Sequence, residues 1–263
     1  MSEIADLRSG FETGHSGTRL AVHRLAVHRL GPKSAGTRPV LLLHGLFSSA
    51  EVNWIKYGTA ACLAEAGFEC IMPDLRAHGQ SDAPHDPAAY PRDVLVKDTM
   101  ALVAALGLTD YDLCGFSLGA RTALGAVLAG LTPRRLVLGG MGLEGLTGWA
   151  RRSAHFIDAI DRFGTIERGD PAFVAQAFMK TMQVDRVAAR MLLGSVEDIS
   201  PGSVAGVAMP ALVVCGADDG DNGSAPALAA ALPAGRYAPV PGNHMSSVTR
   251  PEFGEAIAGF LAA

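Results

Sequence analysis

The sequence predicts a doubly wound α/β protein: a mostly parallel eight-stranded sheet with an antiparallel start and a helical block inserted late in the chain. Three observations carry this prediction. Short unbroken apolar runs such as Val40 to Leu43 and Ala211 to Cys215 alternate with stretches of helical periodicity, the pattern of strands buried on both faces. At 263 residues the chain can bury a core large enough to need no disulfide or metal staple. Between Gly139 and Met209 the strand pattern stops and amphipathic segments replace it.

The chain opens with a hairpin from Phe11 to Leu30, turning at Gly14-His15-Ser16-Gly17. Its second strand holds a direct duplication, Leu20-Ala21-Val22-His23-Arg24 followed by Leu25-Ala26-Val27-His28-Arg29. A repeat of odd length swaps the faces of a strand, so Leu20 and Leu25 share a face only if a bulge intervenes. After the turn at Gly31-Pro32 the core strands are expected at Val40 to Leu43, Phe68 to Met72, Tyr111 to Cys114, Arg135 to Leu138, Ala211 to Cys215 and Arg236 to Val240. Helices are expected near Ala50 to Ala66, Arg92 to Leu106 and Leu118 to Ala129, with a last one from Pro251 towards Leu261 that has proline at its first position. Inside the insertion, Trp149 to Asp161, Pro171 to Met182 and Val184 to Leu193 have helical periodicity, and Asp170-Pro171 is a helix-start signal. The expected organisation is therefore a core of residues 1–140 and 207–263 with a helical cap, residues 141–206, over the carboxyl edge of the sheet, where ligands bind in open α/β folds.

Composition narrows the function classes. With 22 basic against 26 acidic residues, a net charge of -4 and no Lys/Arg block to neutralise a run of phosphates, nucleic acid is not an expected partner. A hydrophobic fraction of 49% with 18% charged residues describes a compact soluble enzyme rather than a disordered chain. The four cysteines form no C-x-x-C pair and read as reduced core thiols. Met1 to Leu20 has no apolar core and no later stretch runs eighteen apolar residues, so a cytoplasmic protein without a membrane span is expected.

The segment Asp112-Leu113-Cys114-Gly115-Phe116-Ser117-Leu118-Gly119-Ala120 places one serine between two glycines, after an apolar run and before an alanine-rich helix. Such a strand-turn-helix junction strains the serine backbone and pushes its hydroxyl out of the sheet edge, and side chains two positions either side would clash. That makes Ser117 a candidate nucleophile. A serine hydroxyl needs a base to take its proton, and a histidine base needs a carboxylate to hold its tautomer and stabilise its cation. His244, in Val240-Pro241-Gly242-Asn243-His244, lies just beyond the final strand, and Asp219, in Gly216-Ala217-Asp218-Asp219, just beyond the strand before it. Serine, acid and histidine in that order, each after a parallel strand, converge on one sheet edge. Asp218 adjoins Asp219, and Asp221 follows closely.

These segments, with Leu43-His44-Gly45-Leu46-Phe47 and Pro73-Asp74-Leu75-Arg76-Ala77-His78-Gly79-Gln80-Ser81-Asp82, resemble the α/β-hydrolase superfamily over nearly the whole chain, close to its small capped serine esterases. The resemblance implies the α/β-hydrolase fold and an oxyanion hole from the backbone N–H groups of Leu46 and Leu118. Its spacing of glycine, two residues, then aspartate selects Asp219 over Asp218; a minority of the superfamily takes the acid from the preceding loop, where Glu144 stands. Serine at the elbow separates the chain from haloalkane dehalogenases and epoxide hydrolases, which carry aspartate there. The implied activity is hydrolysis of a small or medium hydrophobic carboxylic ester or lactone, a small-molecule substrate, through an acyl-enzyme on Ser117. Carbon–carbon bond hydrolysis, cofactor-free haloperoxidase chemistry, acyl transfer and a non-catalytic ligand receptor remain open on the same scaffold. No cofactor is implied. His44 and His78 read as loop-bracing side chains, the remaining histidines have no partner at metal-ligand spacing, and Gly139-Gly140-Met141-Gly142 completes no phosphate-binding pattern.

Overall fold

The computed structural model describes residues 6–17, 19–26 and 38–263. Its strands are β1 (Asp6–Thr13), β2 (Arg19–Ala26), β3 (Arg38–Leu43), β4 (Phe68–Pro73), β5 (Asp112–Phe116), β6 (Leu136–Gly139), β7 (Ala211–Gly216) and β8 (Gly235–Val240). They form one eight-stranded sheet in the order β1-β2-β4-β3-β5-β6-β7-β8. β1 and β2 are antiparallel to each other and β2 to β4, and every pair from β4 to β8 is parallel. The helices are α1 (Thr59–Glu65), α2 (Val94–Ala105), α3 (Leu118–Leu128), α4 (Trp149–Asp161), α5 (Phe173–Thr181), α6 (Arg186–Leu193), α7 (Ala225–Ala231), α8 (His244–Ser247) and α9 (Pro251–Ala262).

Alternation along the central strands sorts the core into two layers. Leu41 and Leu43 of β3 pack with residues of α2, α3 and the helices between β6 and β7, while Val40 and Leu42 pack on the other face with Trp54, Leu63 of α1 and Phe253 and Ile257 of α9. All four strand residues are fully buried, which is why the strand reads as an unbroken apolar run. α9 starts with Pro251 at its first turn, where a missing N–H removes no helical bond, and stacks Phe253 on Trp54 with ring centroids 6.4 Å apart.

The expected core strands are all present, displaced by a residue or two at their ends. The single helix expected over Ala50 to Ala66 is broken. A short π-helical turn, Glu51–Ile55, is followed by α1, because Gly58 at φ 85° reverses the chain between them. The hairpin begins earlier than Phe11, at Asp6, where backbone pairing with β2 holds a polar segment that does not alternate. Its register runs residue for residue from Asp6↔Ala26 to Thr13↔Arg19, so no bulge interrupts the described part of the duplication. Val27 to Leu30 and the turn at Gly31-Pro32 lie outside the described residues. Two short helices were not anticipated: α7, capped by the Ser224 side chain accepting the Ala227 N–H, and α8, capped by Asn243.

Candidate active site

Ser117 stands between the end of β5 and the first residue of α3, at φ 52° and ψ -113°, a left-handed conformation that a side-chain-bearing residue rarely adopts. The flanking glycines make this turn feasible. A Cβ on Gly115 would lie 2.2 Å from the Gly119 carbonyl oxygen, and one on Gly119 would lie 2.0 Å from that of Leu43. These are backbone atoms, so nothing can swing aside.

The loops after the last two strands bring the other two residues to the same edge. His244 opens α8 just past β8, and its Nε2 lies 3.0 Å from Ser117 Oγ. Its Nδ1 lies 2.9 Å from Asp219 Oδ2. A carboxylate can only accept, so Nδ1 carries the ring proton and Nε2 is free to accept from the serine. Gly216 and Gly242 let the two loops touch: a Cβ on Gly216 would sit 2.2 Å from the Gly242 carbonyl oxygen.

Asp219 is held from three directions. Oδ2 accepts from His244 and from the Cys215 thiol at 3.2 Å, and Oδ1 accepts the Asp221 N–H at 3.1 Å. Burial acts to raise this carboxyl, but the hydrogen bond and charge of His244, with Cys215 and the Asp221 N–H, outweigh it and hold Asp219 below its ordinary range. Asp218 is exposed one residue earlier, and the Glu144 carboxylate instead accepts the Ser224 N–H at 2.7 Å. Neither is hydrogen-bonded to His244.

The turn after β3 lies over the serine, since a Cβ on Gly45 would be 3.5 Å from Ser117 Cβ. Among the described residues neither the Leu46 N–H nor the Leu118 N–H donates to a protein acceptor. The donors on either side of Leu46 are committed, Gly45 N–H to Asn53 Oδ1 at 3.0 Å and Phe47 N–H to His78 Nε2 at 2.9 Å. His44 Nε2 accepts the Leu75 N–H at 2.9 Å while its Nδ1–H donates to the Gly45 carbonyl at 2.8 Å. Both imidazoles are therefore buried, neutral and part of the turn's scaffolding. Burial lowers the pKa of each; for His78, with His44 adding to the effect, it falls to about 3.

A cavity of about 760 Å³ opens above Ser117 and His244. Its apolar wall includes Phe116, Phe156, Val174 and Phe178, and its polar wall includes Arg151, Arg152 and His155 of α4. Sequence reasoning missed the arginines, because helical periodicity does not tell which of two adjacent charged residues faces inward. It also missed Cys215 as a partner of the acid; the signal was its position four residues before Asp219, at the end of the strand that delivers it. Asp219, Asp221 and His244 are the group of described residues close enough to share a metal ion, but Nδ1 of His244 and Oδ2 of Asp219 are already bonded to each other. Among the described residues no helix is long and apolar enough to cross a membrane.

A family model described as the alpha/beta hydrolase fold matches residues 38–136. "Epoxide hydrolase 2" of Siraitia grosvenorii is 36% identical over 91 residues, covering 34% of this chain and 28% of that protein, so the match spans little more than a quarter of its curated relative. Among solved structures, a hydrolase from Pseudomonas aeruginosa superimposes with a TM-score of 0.73 at 24% identity, covering 97% of this chain and 99% of that one. The enol-lactonase from Burkholderia xenovorans LB400 gives a TM-score of 0.72 at 21% identity, covering 97% and 100%. At such identities the structural likeness carries the fold.

Proposed function

We propose that this chain, a member of the α/β-hydrolase superfamily, is a serine hydrolase that cleaves a carboxylic ester or lactone through an acyl-enzyme on Ser117. The supporting observation is the hydrogen-bonded series from Ser117 Oγ to His244 Nε2 at 3.0 Å and from His244 Nδ1 to Asp219 Oδ2 at 2.9 Å. His244 Nε2 takes the hydroxyl proton as Oγ attacks the carbonyl carbon, and Asp219 steadies the imidazolium that forms. The Leu46 and Leu118 N–H groups receive the oxyanion, and losing one such donor typically costs about 10²–10³ in turnover. His244 then protonates the leaving alcohol, and a water activated by the same nitrogen releases the acid. In this reading residues 141–206 act as a cap that walls the cavity and lowers the local polarity around the developing oxyanion while still admitting the water that deacylates the enzyme.

The epoxide hydrolase among the curated relatives suggests a second reading, epoxide opening. A serine that opened an epoxide would be left as an ether, which an activated water does not hydrolyse, whereas an acyl ester on the same oxygen is readily released. The hydroxyl at the elbow therefore favours acyl transfer. Steady-state assay of 4-nitrophenyl esters of increasing chain length alongside lactones, with Ser117→Ala as control, tests the proposal. A loss of about 10⁴-fold or more in kcat is expected for the variant. A Ser117→Ala protein as fast as the parent would end it.

A further inference from the structure

The cavity wall above Ser117 carries more positive charge than an uncharged ester needs. The charge is that of Arg151 and Arg152, which lie on one face of α4 and line the cavity beside His155 and the apolar Phe156. Arg152 is half-buried, and its Nη1 donates to the Asp221 backbone carbonyl at 2.7 Å. Among the described residues no carboxylate is in ion-pair contact with it. Among the described residues the two buried arginines differ in this respect: Arg76 pairs with Asp98 at 2.6 Å and Arg121 with Asp198 at 3.3 Å. Burial works against the Arg152 charge, and the more distant Asp221 and Asp219 support it. The acids around the cavity have other engagements: Asp219 holds His244 and Glu144 accepts the Ser224 N–H, leaving the exposed Asp221 carboxylate as the nearby counter-charge.

From this arrangement we infer that the cavity recognises a substrate bearing a free carboxylate, held by Arg152 with Arg151 beside it at the mouth. The inference rests on the proposed hydrolysis at Ser117 and narrows its substrate to monoesters of dicarboxylic acids or carboxy-substituted lactones. A guanidinium presents five N–H donors, and among the described residues one of those on Arg152 has a protein acceptor. A carboxylate accepts two of the others side by side, and in a partly dehydrated wall such a charge-assisted pair outweighs an exposed one. The apolar wall of Phe116, Phe156, Val174 and Phe178 then accommodates the methylene chain between the carboxylate and the scissile carbonyl.

The test compares 4-nitrophenyl monoesters of glutaric, adipic and pimelic acids with the same compounds methylated at the far carboxyl, reading the ratio of kcat/KM for acid over methyl ester. The parent is expected to favour the acid form by about tenfold or more at the best chain length, and the ratio to fall by a similar factor in Arg152→Met. Arg152→Lys should keep part of the preference as a point charge. Arg151→Gln, altered at an exposed residue, provides a second variant if Arg152→Met fails to fold, and it should lower the ratio by a smaller factor. A parent ratio at or below one, or the same ratio in parent and every folded variant, overturns the inference while leaving the hydrolase reading intact. A Ser117→Ala protein that hydrolyses both members of a pair as fast as the parent defeats the hydrolase reading itself.

Discussion

Lowering the pH from 7 to 5 is expected to remove about 2 kcal/mol of stability through one imidazole, His78. Its Nε2 accepts the Phe47 N–H and its Nδ1–H donates to the Arg76 carbonyl, so a second proton would have to sit on a nitrogen already facing an N–H. Burial and then the neighbouring His44 lower its pKa from 6.5 to about 3. The unfolded chain thus binds a proton that the folded one refuses between those two values. The stabilisation is complete above pH 6.5 and is lost as the pH falls, at about 1.4 kcal/mol per unit, until the folded value is reached. Over the 1.5 units down to pH 5 this gives about 2 kcal/mol. His44, also lowered by burial, acts in the same direction. Asp219, whose carboxyl is depressed, contributes stability above its ordinary value of 3.8 and loses it only below, outside this window. Urea unfolding at pH 7, 6 and 5 measures the effect, with His78→Gln as the comparison because a glutamine oxygen can accept the same N–H and does not titrate. Other groups are common to both proteins and cancel. The variant should show a slope shallower by about 1.4 kcal/mol per pH unit; identical slopes, or a parent equally stable at pH 7 and 5, would refute the reasoning.

Three further outcomes are expected. Gly119→Ala places a Cβ 2.0 Å from the Leu43 carbonyl oxygen and should cost about 3 kcal/mol or more; a thermal midpoint equal to the parent's would contradict the elbow geometry. Arg121→Met removes buried donors to the Gly145 and Glu197 carbonyls, which lie at opposite ends of the inserted helices, so it should cost about 2–4 kcal/mol and speed proteolysis within residues 141–206. An unchanged cleavage rate would show that the anchor is idle. Cys215→Ala takes one donor from the Asp219 oxygen that holds His244, which should move the low-pH side of the rate profile to higher pH, while Cys215→Ser, a stronger donor, should move it down; three coincident profiles would exclude Cys215 as a positioning residue.

Much of the fold was legible because burial on both faces leaves a plain trace: an apolar run such as Val40 to Leu43 has no polar face to hide. That Ser117, His244 and Asp219 meet at one edge could be expected because each follows a strand within a few residues, where a short loop leaves little freedom of placement. What was missed depends on long-range geometry. Gly58 at φ 85° breaks a helix that local periodicity continues, and the α1 that follows packs on α9, a contact between segments far apart in the sequence. β1 reaches back to Asp6 because pairing with β2, rather than its own polar residues, makes it a strand. Arg152 became visible only once the rotation of α4 was known, because Arg151 and Arg152 are adjacent and either could have pointed to solvent.

The most direct test of acyl transfer at Ser117 is the mass of the protein itself during turnover. Rapid acid quench of the enzyme mixed with excess 4-nitrophenyl ester, followed by intact-mass measurement and peptide mapping, should find one acyl group on the peptide that contains Ser117 and none in Ser117→Ala. An acyl group on another residue, or undiminished turnover in Ser117→Ala with no adduct in either protein, would contradict it.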